Sequence, residues 1–256
     1  MKTLAHRNIP ITIIGGGIHG VSIALRLLRE VPTAAEHLAI VDRHPSPLLA
    51  WRRKTERQGM TFLRSPAVHH IIPDALGIVE YAERHNRTSE LAPPYSQPST
   101  ALFWDFCNAV LAASGLQIPP TRYGVYSQFE VAELRWDKGA GRFPFRLIST
   151  DNEGFRSSCV ILAMGADDCI YMPPEFAAWQ RQWPDRILHA SQFDVNRRRA
   201  GTLVLQDSSD ASLTSPMLPE NKQLRPYKHQ GTSGEKKIVI VGGGLTAGTL
   251  ARALSE

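Results

Sequence analysis

Ile11-Thr12-Ile13-Ile14-Gly15-Gly16-Gly17-Ile18-His19-Gly20 is the stretch whose reading decides the fold. Four β-branched residues in an unbroken run are too short and too continuous for an amphipathic helix, and read as a strand buried on both faces of a parallel sheet. Gly15, Gly17 and Gly20 then fall in a G-x-G-x-x-G frame. Beyond them Val21, Ala24, Leu25 and Leu28 recur at helical spacing as far as about Glu30. Leu38 to Val41 reads as a second buried strand, ending in Asp42. Strand, glycine turn, helix and strand make a βαβ unit of ordinary size, the opening of a Rossmann-like α/β fold.

Each glycine of the frame has its own reason. Gly15 permits the sharp bend out of the strand, and Gly17 lets the backbone approach a pyrophosphate with no Cβ in the way. Gly20 lets the helix lie close on the sheet, so the amides of Ile18 and His19 at the helix start face an anion. His19 reads as a neutral neighbour of the phosphates, since a titrating group has no proton to move there. Asp42 lies 22 residues after Gly20. A carboxylate there accepts hydrogen bonds from adenosine ribose hydroxyls and repels a 2′-phosphate, so with Arg43 beside it the turn should hold FAD or NAD, not NADP. The competing reading is a glycine-rich turn that carries no ligand.

A second turn, Ile238-Val239-Ile240-Val241-Gly242-Gly243-Gly244-Leu245-Thr246-Ala247, repeats the pattern near the other end of the chain, with Gly242, Gly244 and Ala247 in the frame. Two such turns suggest two dinucleotides, and two dinucleotides suggest electron transfer between them. Only nine residues follow Ala247. One strand and one helix cannot bury both faces of a parallel strand, and the residue that selects NADH or NADPH belongs about 20 positions further on. The expectation is either a fragment or shortened gene product, or a chain whose remainder another chain supplies, with turnover in doubt.

Between the turns, residues 43–73 read as loop-rich, Asp74 as the cap of a helix through Glu83, and residues 91–98 as a connector. Ser99 or Thr100 caps a helix to Ala113, with Gly115 just beyond. From Tyr123 the period changes to two: Val125 to Leu134, Phe143 to Ser149 and Ser158 to Leu162, joined by turn sequences, predict a three-stranded antiparallel meander. Ser, Asp, Pro, Lys, Gln and Gly dominate residues 206–236, which read as a linker. The expected organisation is a dinucleotide-binding domain over 1–205, with a helical insertion at about 43–121 and the meander at about 122–162. The linker at 206–236 and the start of a second dinucleotide-binding domain at 237–256 complete it; the resemblance described below implies FAD for the first and NAD(P) for the second.

Composition narrows the function classes. The net charge is +5, and Arg197-Arg198-Arg199 and Arg52-Arg53-Lys54 are the only tight basic runs, without the interleaved aromatics of a nucleic-acid surface. Cys107, Cys159 and Cys169 form no C-x-x-C pair, so a disulfide framework, a zinc site or a redox dithiol has no support, and no metal is expected. Ile9 to Leu28 is apolar, but four glycines, His19 and Arg26 interrupt it, which argues against a membrane span. Ten residues before the strand leave no room for a leader, so a cytoplasmic protein acting on a small molecule is expected. Its oligomeric state is left open.

The meander runs into Val160-Ile161-Leu162-Ala163-Met164-Gly165. This resembles the Ala-Thr-Gly that closes the FAD site in the two-dinucleotide-domain flavoproteins, with Met164 where threonine is usual, and it adds Ala163 and Gly165 to the candidate cofactor residues. His189, Phe193 and Asp194 in Trp183-Pro184-Asp185-Arg186-Ile187-Leu188-His189-Ala190-Ser191-Gln192-Phe193-Asp194 are similar to the second half of the flavin-containing and N-hydroxylating monooxygenase fingerprint F-x-G-x-x-x-H-x-x-x-F/Y-P/D. Trp51 and Met60 to Pro66 resemble the flavin-facing region of lysine and ornithine N-hydroxylases, which implies a flavin-side position for Trp51, Arg64 and Ser65. The resemblance implies that NADPH or NADH at the second turn reduces FAD by hydride transfer. Reduced FAD would then activate oxygen for delivery to a nitrogen or sulfur nucleophile, with no acid–base residue demanded. A flavin reductase without oxygen insertion and a non-catalytic flavoprotein are the alternatives.

Overall fold

The computed structural model describes Leu4 and residues 7–116, 125–165, 170–184 and 186–195. The linker reading at 206–236, the second glycine turn and the domain start at 237–256 lie outside them. The first strand, β1 (Asn8–Ile14), leads through the glycine turn into α1 (Ile18–Glu30), and a single-turn α2 (Ala34–His37) precedes β2 (Leu38–Asp42). Helices α3 (Leu49–Arg57), α4 (Gly77–Arg84) and α5 (Thr100–Ala113) follow, with the two-residue strands β3 (Leu91–Ala92) and β4 (Gln97–Pro98) paired between the last two. Then come β5 (Tyr126–Gln128), β6 (Val131–Trp136), β7 (Phe145–Ser149), β8 (Gly154–Leu162) and α6 (Pro174–Gln182).

Six strands form one sheet in the order β5-β2-β1-β8-β7-β6. The first four run parallel, and β7 and β6 return antiparallel. The unbroken apolar runs of β1 and β2 follow from burial on both faces. Ile13 and Ile40 point into a large core shared with α1, α4 and α5, whereas Ile14, Ala39 and Val41 point into a smaller one with Phe129, Leu147 and Phe155. The Rossmann-like α/β reading therefore holds in the sheet order, the parallel core and the glycine turn.

Four local expectations change. Residues 49–57 are helical, not loop: Leu-Ala-Trp-Arg-Arg-Lys-Thr-Glu-Arg has no sustained apolar period, and Arg52 pairs with Glu56 one turn on at 2.7 Å. Asp74 does not cap α4 directly; its carboxylate accepts the Leu76 N–H at 3.1 Å in a turn, and the helix starts at Gly77. The connector at 91–98 contains the β3–β4 pair. Finally, the run from Val125 to Leu134 is two strands, because β5 pairs parallel with β2 while β6 joins β7 in the meander. The meander's last strand, β8, is shared, pairing with β7 over 154–157 and with β1 over 156–162.

Ser99 does cap α5, its Oγ accepting the Leu102 N–H at 2.9 Å. That hydroxyl also donates to Glu90, whose carboxylate is gripped by the Arg87 guanidinium at 2.6 and 3.0 Å. The guanidinium hydrogen bonds, with help from Ser99, hold the Glu90 carboxyl below the usual carboxylate range. A lowered folded-state pKa contributes stability above the unfolded value and loses it as pH falls through the folded one. Glu90→Gln should lower unfolding free energy by about 1 kcal/mol at neutral pH. In denaturant titrations across pH the difference should shrink on acidification below the ordinary carboxylate pKa.

Candidate functional site

The glycine turn is wedged between the ends of three strands. The Gly15 N–H donates to the Val41 carbonyl at 2.8 Å, and the Ala163 N–H donates to the Ile14 carbonyl at 2.8 Å. Gly15 has φ +111°, and a Cβ there would run into the Ala163 carbonyl. A Cβ on Gly20 would collide with the Gly15 carbonyl oxygen and stand 3.3 Å from the Ala163 Cβ, which is how closely α1 lies on the turn. Ala163 thus lies against both glycines of the turn. Gly165, also at positive φ, is exposed and has nothing among the described residues near its Cβ position.

Gly17 differs from its neighbours: among the described residues, a Cβ there would meet nothing within 4 Å. Its φ of −76° is open to any residue, so neither packing nor backbone geometry requires a glycine. It is the residue immediately before α1, whose first turn has no acidic residue and no side-chain cap. The result is an open space over an uncapped helix start, where unpaired amides and the positive end of the helix dipole meet. Ile18 is half-buried there and His19 exposed.

Asp42, at the end of β2, reaches the residue just before Gly17. Its Oδ2 accepts the Gly16 N–H at 2.5 Å and its Oδ1 the His44 N–H at 2.7 Å. Each oxygen keeps a lone pair, so the carboxylate can still accept from a cis-diol. The chain then turns back, and the Leu48 N–H donates to the Gly16 carbonyl at 2.8 Å. Leu48 takes a left-handed conformation, φ 62°, held by that bond and by complete burial of its side chain. Arg43 is exposed, and its carbonyl accepts the Gln128 amide.

Open space at Gly17, free amides at the helix start and an acceptor-only carboxylate beside them fit a phosphate followed by an unphosphorylated ribose. Asp42→Asn should weaken FAD or ADP binding by about tenfold, the loss of charge-assisted bonds to the ribose, as read by calorimetry.

The flavin-side candidates separate into two groups. Trp51 packs on α5, its ring 4.9 Å from Phe103 and stacked at 6.4 Å on Trp104, with Arg52 over the Trp104 face. Arg64 and Ser65 belong to a segment strung along 95–99. The Leu63 N–H donates to Pro98, the Arg64 carbonyl accepts Gln97 Nε2 at 3.2 Å, and the Ala67 N–H donates to Tyr95. Buried side-chain polar atoms without a partner among the described residues include Gln58 Oε1 and His70 Nε2, both in this same insertion. Around the fingerprint half, Gln180 donates to both the Ile187 carbonyl and Gln192, and Gln192 accepts the His189 N–H at 2.9 Å. Phe193 packs with Val195 and Ala190.

A family model described as FAD-NAD(P)-binding matches residues 12–167, from within β1 to just beyond β8, and so includes the glycine turn, Asp42 and Ala163. The chain belongs to that family. Its cofactors are accordingly FAD and NAD(P)H. Among solved structures, the FAD-bound cadaverine monooxygenase of desferrioxamine biosynthesis from Erwinia amylovora is 13% identical, covers 74% of this chain and 42% of its own, and superposes with a TM-score of 0.51. The reduced ornithine hydroxylase of Pseudomonas aeruginosa is 14% identical, covering 70% of this chain and 43% of its own, with a TM-score of 0.50. A flavin-containing monooxygenase from Stenotrophomonas maltophilia is 19% identical over 65% of this chain and 41% of its own, with a TM-score of 0.41. At these identities the likeness is one of fold, and the chain spans about two-fifths of the length of each. No curated protein matches the chain in sequence. No helix among the described residues is long and apolar enough to cross a membrane.

Sequence reasoning missed Tyr126. Its hydroxyl donates to the His44 carbonyl at 2.9 Å, and its ring lies against Gly16. A lone tyrosine in a period-two run carries no motif; the one available signal is its place on the strand that lies beside Asp42.

Proposed function

We propose that this protein is an FAD-dependent, NAD(P)H-linked oxidoreductase of monooxygenase type that oxidises a nitrogen or sulfur nucleophile on a small molecule. The observation that carries the reading is the joining of two features in one chain. One is a seat suited to a dinucleotide with an unphosphorylated ribose, at Gly17 and Asp42. The other is a helical insertion, α3 to α5, between β2 and β5 of a fold shared with the cadaverine and ornithine oxygenases. Bound FAD supplies hydride acceptance from NAD(P)H and oxygen activation. The chain's own residues bind and orient. The amides at the start of α1 hold the phosphates, Asp42 fixes the ribose, and the aromatic layer of Trp51, Phe103 and Trp104 offers apolar surface that keeps water out. Arg64 and Ser65 remain proposed for the flavin side, and Gly242, Gly244 and Ala247 for NAD(P)H.

The test is NADPH- and NADH-dependent oxygen uptake by the FAD-loaded chain, with and without primary amines and thioethers, and mass spectrometry of the products. The proposal expects a product heavier by one oxygen atom. Nucleotide oxidation with no oxygenated product would replace it with a flavin reductase. Flavin binding with no nucleotide oxidation would replace it with a non-catalytic flavoprotein.

A further inference from the structure

Three consecutive carbonyls after β2 are held by one neighbouring segment. The Asp42 carbonyl accepts the Phe129 N–H at 2.8 Å, that of Arg43 accepts Gln128 Nε2 at 3.1 Å, and that of His44 accepts the Tyr126 hydroxyl at 2.9 Å. Tyr126 is 6% exposed, so the last of these bonds is shielded from water. The same side chain reaches the glycine turn. A Cβ on Gly16 would stand 2.7 Å from a carbon of the Tyr126 ring and 3.1 Å from its hydroxyl oxygen. One buried phenol therefore touches the turn that carries Asp42 and the turn that carries Gly17, and Asp42 closes the circuit by accepting from Gly16 and His44.

We propose that Tyr126 is a positioning residue for the adenosine half of the dinucleotide, clasping the 42–48 turn to the glycine turn so that the Asp42 carboxylate is fixed before ligand arrives. The assignment rests on the dinucleotide site and is independent of oxygen chemistry. Residues 43–48 are a turn and a left-handed Leu48 between β2 and α3, with no strand ladder of their own. A turn that samples other conformations lowers apparent affinity in proportion to the time it spends out of place. Burial, reinforced by the Asp42 carboxylate, pushes the Tyr126 phenol above its ordinary range, which keeps it a neutral donor. Tyr126 also accounts for the middle glycine, which the G-x-G-x-x-G frame leaves free. Gly16 is glycine because the ring occupies the place of its side chain.

The test uses the full chain with ADP and its 2′,3′-dideoxy analogue as probes in calorimetry. The unsubstituted chain should prefer ADP by about tenfold, the worth of hydrogen bonds to a charged acceptor. Tyr126→Phe keeps the ring and removes the donor; it should narrow that preference to about twofold and leave the dideoxy affinity unchanged. A residue that only supported the fold would weaken both ligands alike, so an unchanged preference overturns the clasp. In a second arm, Gly16→Ala should fall in ADP affinity below Tyr126→Phe, and Gly16→Ala combined with Tyr126→Val should return to about the Tyr126→Phe level, since the clash is relieved while the hydroxyl stays absent. A double variant no better than Gly16→Ala would overturn the pairing of ring and glycine. Failure of the unsubstituted chain to bind ADP would overturn the dinucleotide site and the clasp together, whereas ADP binding with no hydroxyl preference overturns the clasp alone.

Discussion

A Gly17→Val chain should melt at the temperature of the unsubstituted protein and fail to retain FAD through desalting. Neither half of that result follows from the glycine pattern alone, since a glycine in such a frame ordinarily signals a backbone constraint. Here the constraint is absent: φ is −76° and, among the described residues, nothing lies within 4 Å of the Cβ position. A valine therefore enters open space, and the melting temperature should move by no more than about 2 °C, the effect of a surface substitution. The isopropyl group would fill the volume over the uncapped start of α1, where the phosphates must come within hydrogen-bond distance of the amides. Affinity for FAD should fall by about a hundredfold or more, since two or more charge-assisted bonds are lost at once. Thermal melts and visible spectra after desalting check both halves.

Gly15→Ala should do the opposite, and unfold the protein. Its φ of +111° lies outside the regions that L-residues populate, and the new methyl would overlap the Ala163 carbonyl. The obstacle is backbone, tied through the Ala163 N–H to the Ile14 carbonyl where β1 and β8 end, so it cannot swing aside as a side chain would. Dihedral strain of about 2 kcal/mol and overpacking of similar size add to roughly 4 kcal/mol, a large share of a domain's stability of about 5–15 kcal/mol. Equilibrium urea unfolding should show a midpoint shift with little change in slope, and at 37 °C much of the expressed chain should be insoluble. Loss of FAD in this variant would follow from unfolding, which separates it from Gly17→Val.

These contrasts show what the sequence carried and what it did not. The turn, α1, β2 and Asp42 were legible because each rests on a local pattern: a β-branched run, a glycine frame, a helical period and an acidic residue at a set distance. The roles of Gly15 and Gly20 were read in kind, but their partner Ala163 was placed only through the resemblance. Helix α3 was missed because its stability comes from tertiary anchoring of Leu48 and Trp51 and from a surface ion pair, none of which leaves an apolar period. The split of 125–134 was missed for a different reason. Alternation of side chains is the same in β5 and β6, and only the partner strand, parallel β2 or antiparallel β7, distinguishes them. Tyr126 was invisible on the same ground, since its work is done across 82 positions of sequence.

An adenine dinucleotide on the amino-terminal glycine turn, with its ribose against Asp42, should be readable by hydrogen exchange followed by mass spectrometry, with and without FAD. Slowed exchange is expected chiefly in peptides covering 15–20 and 42–48, with no such slowing in Gly17→Val. Slowed exchange elsewhere with these two segments unchanged, or FAD binding that leaves exchange unaltered throughout, would contradict it.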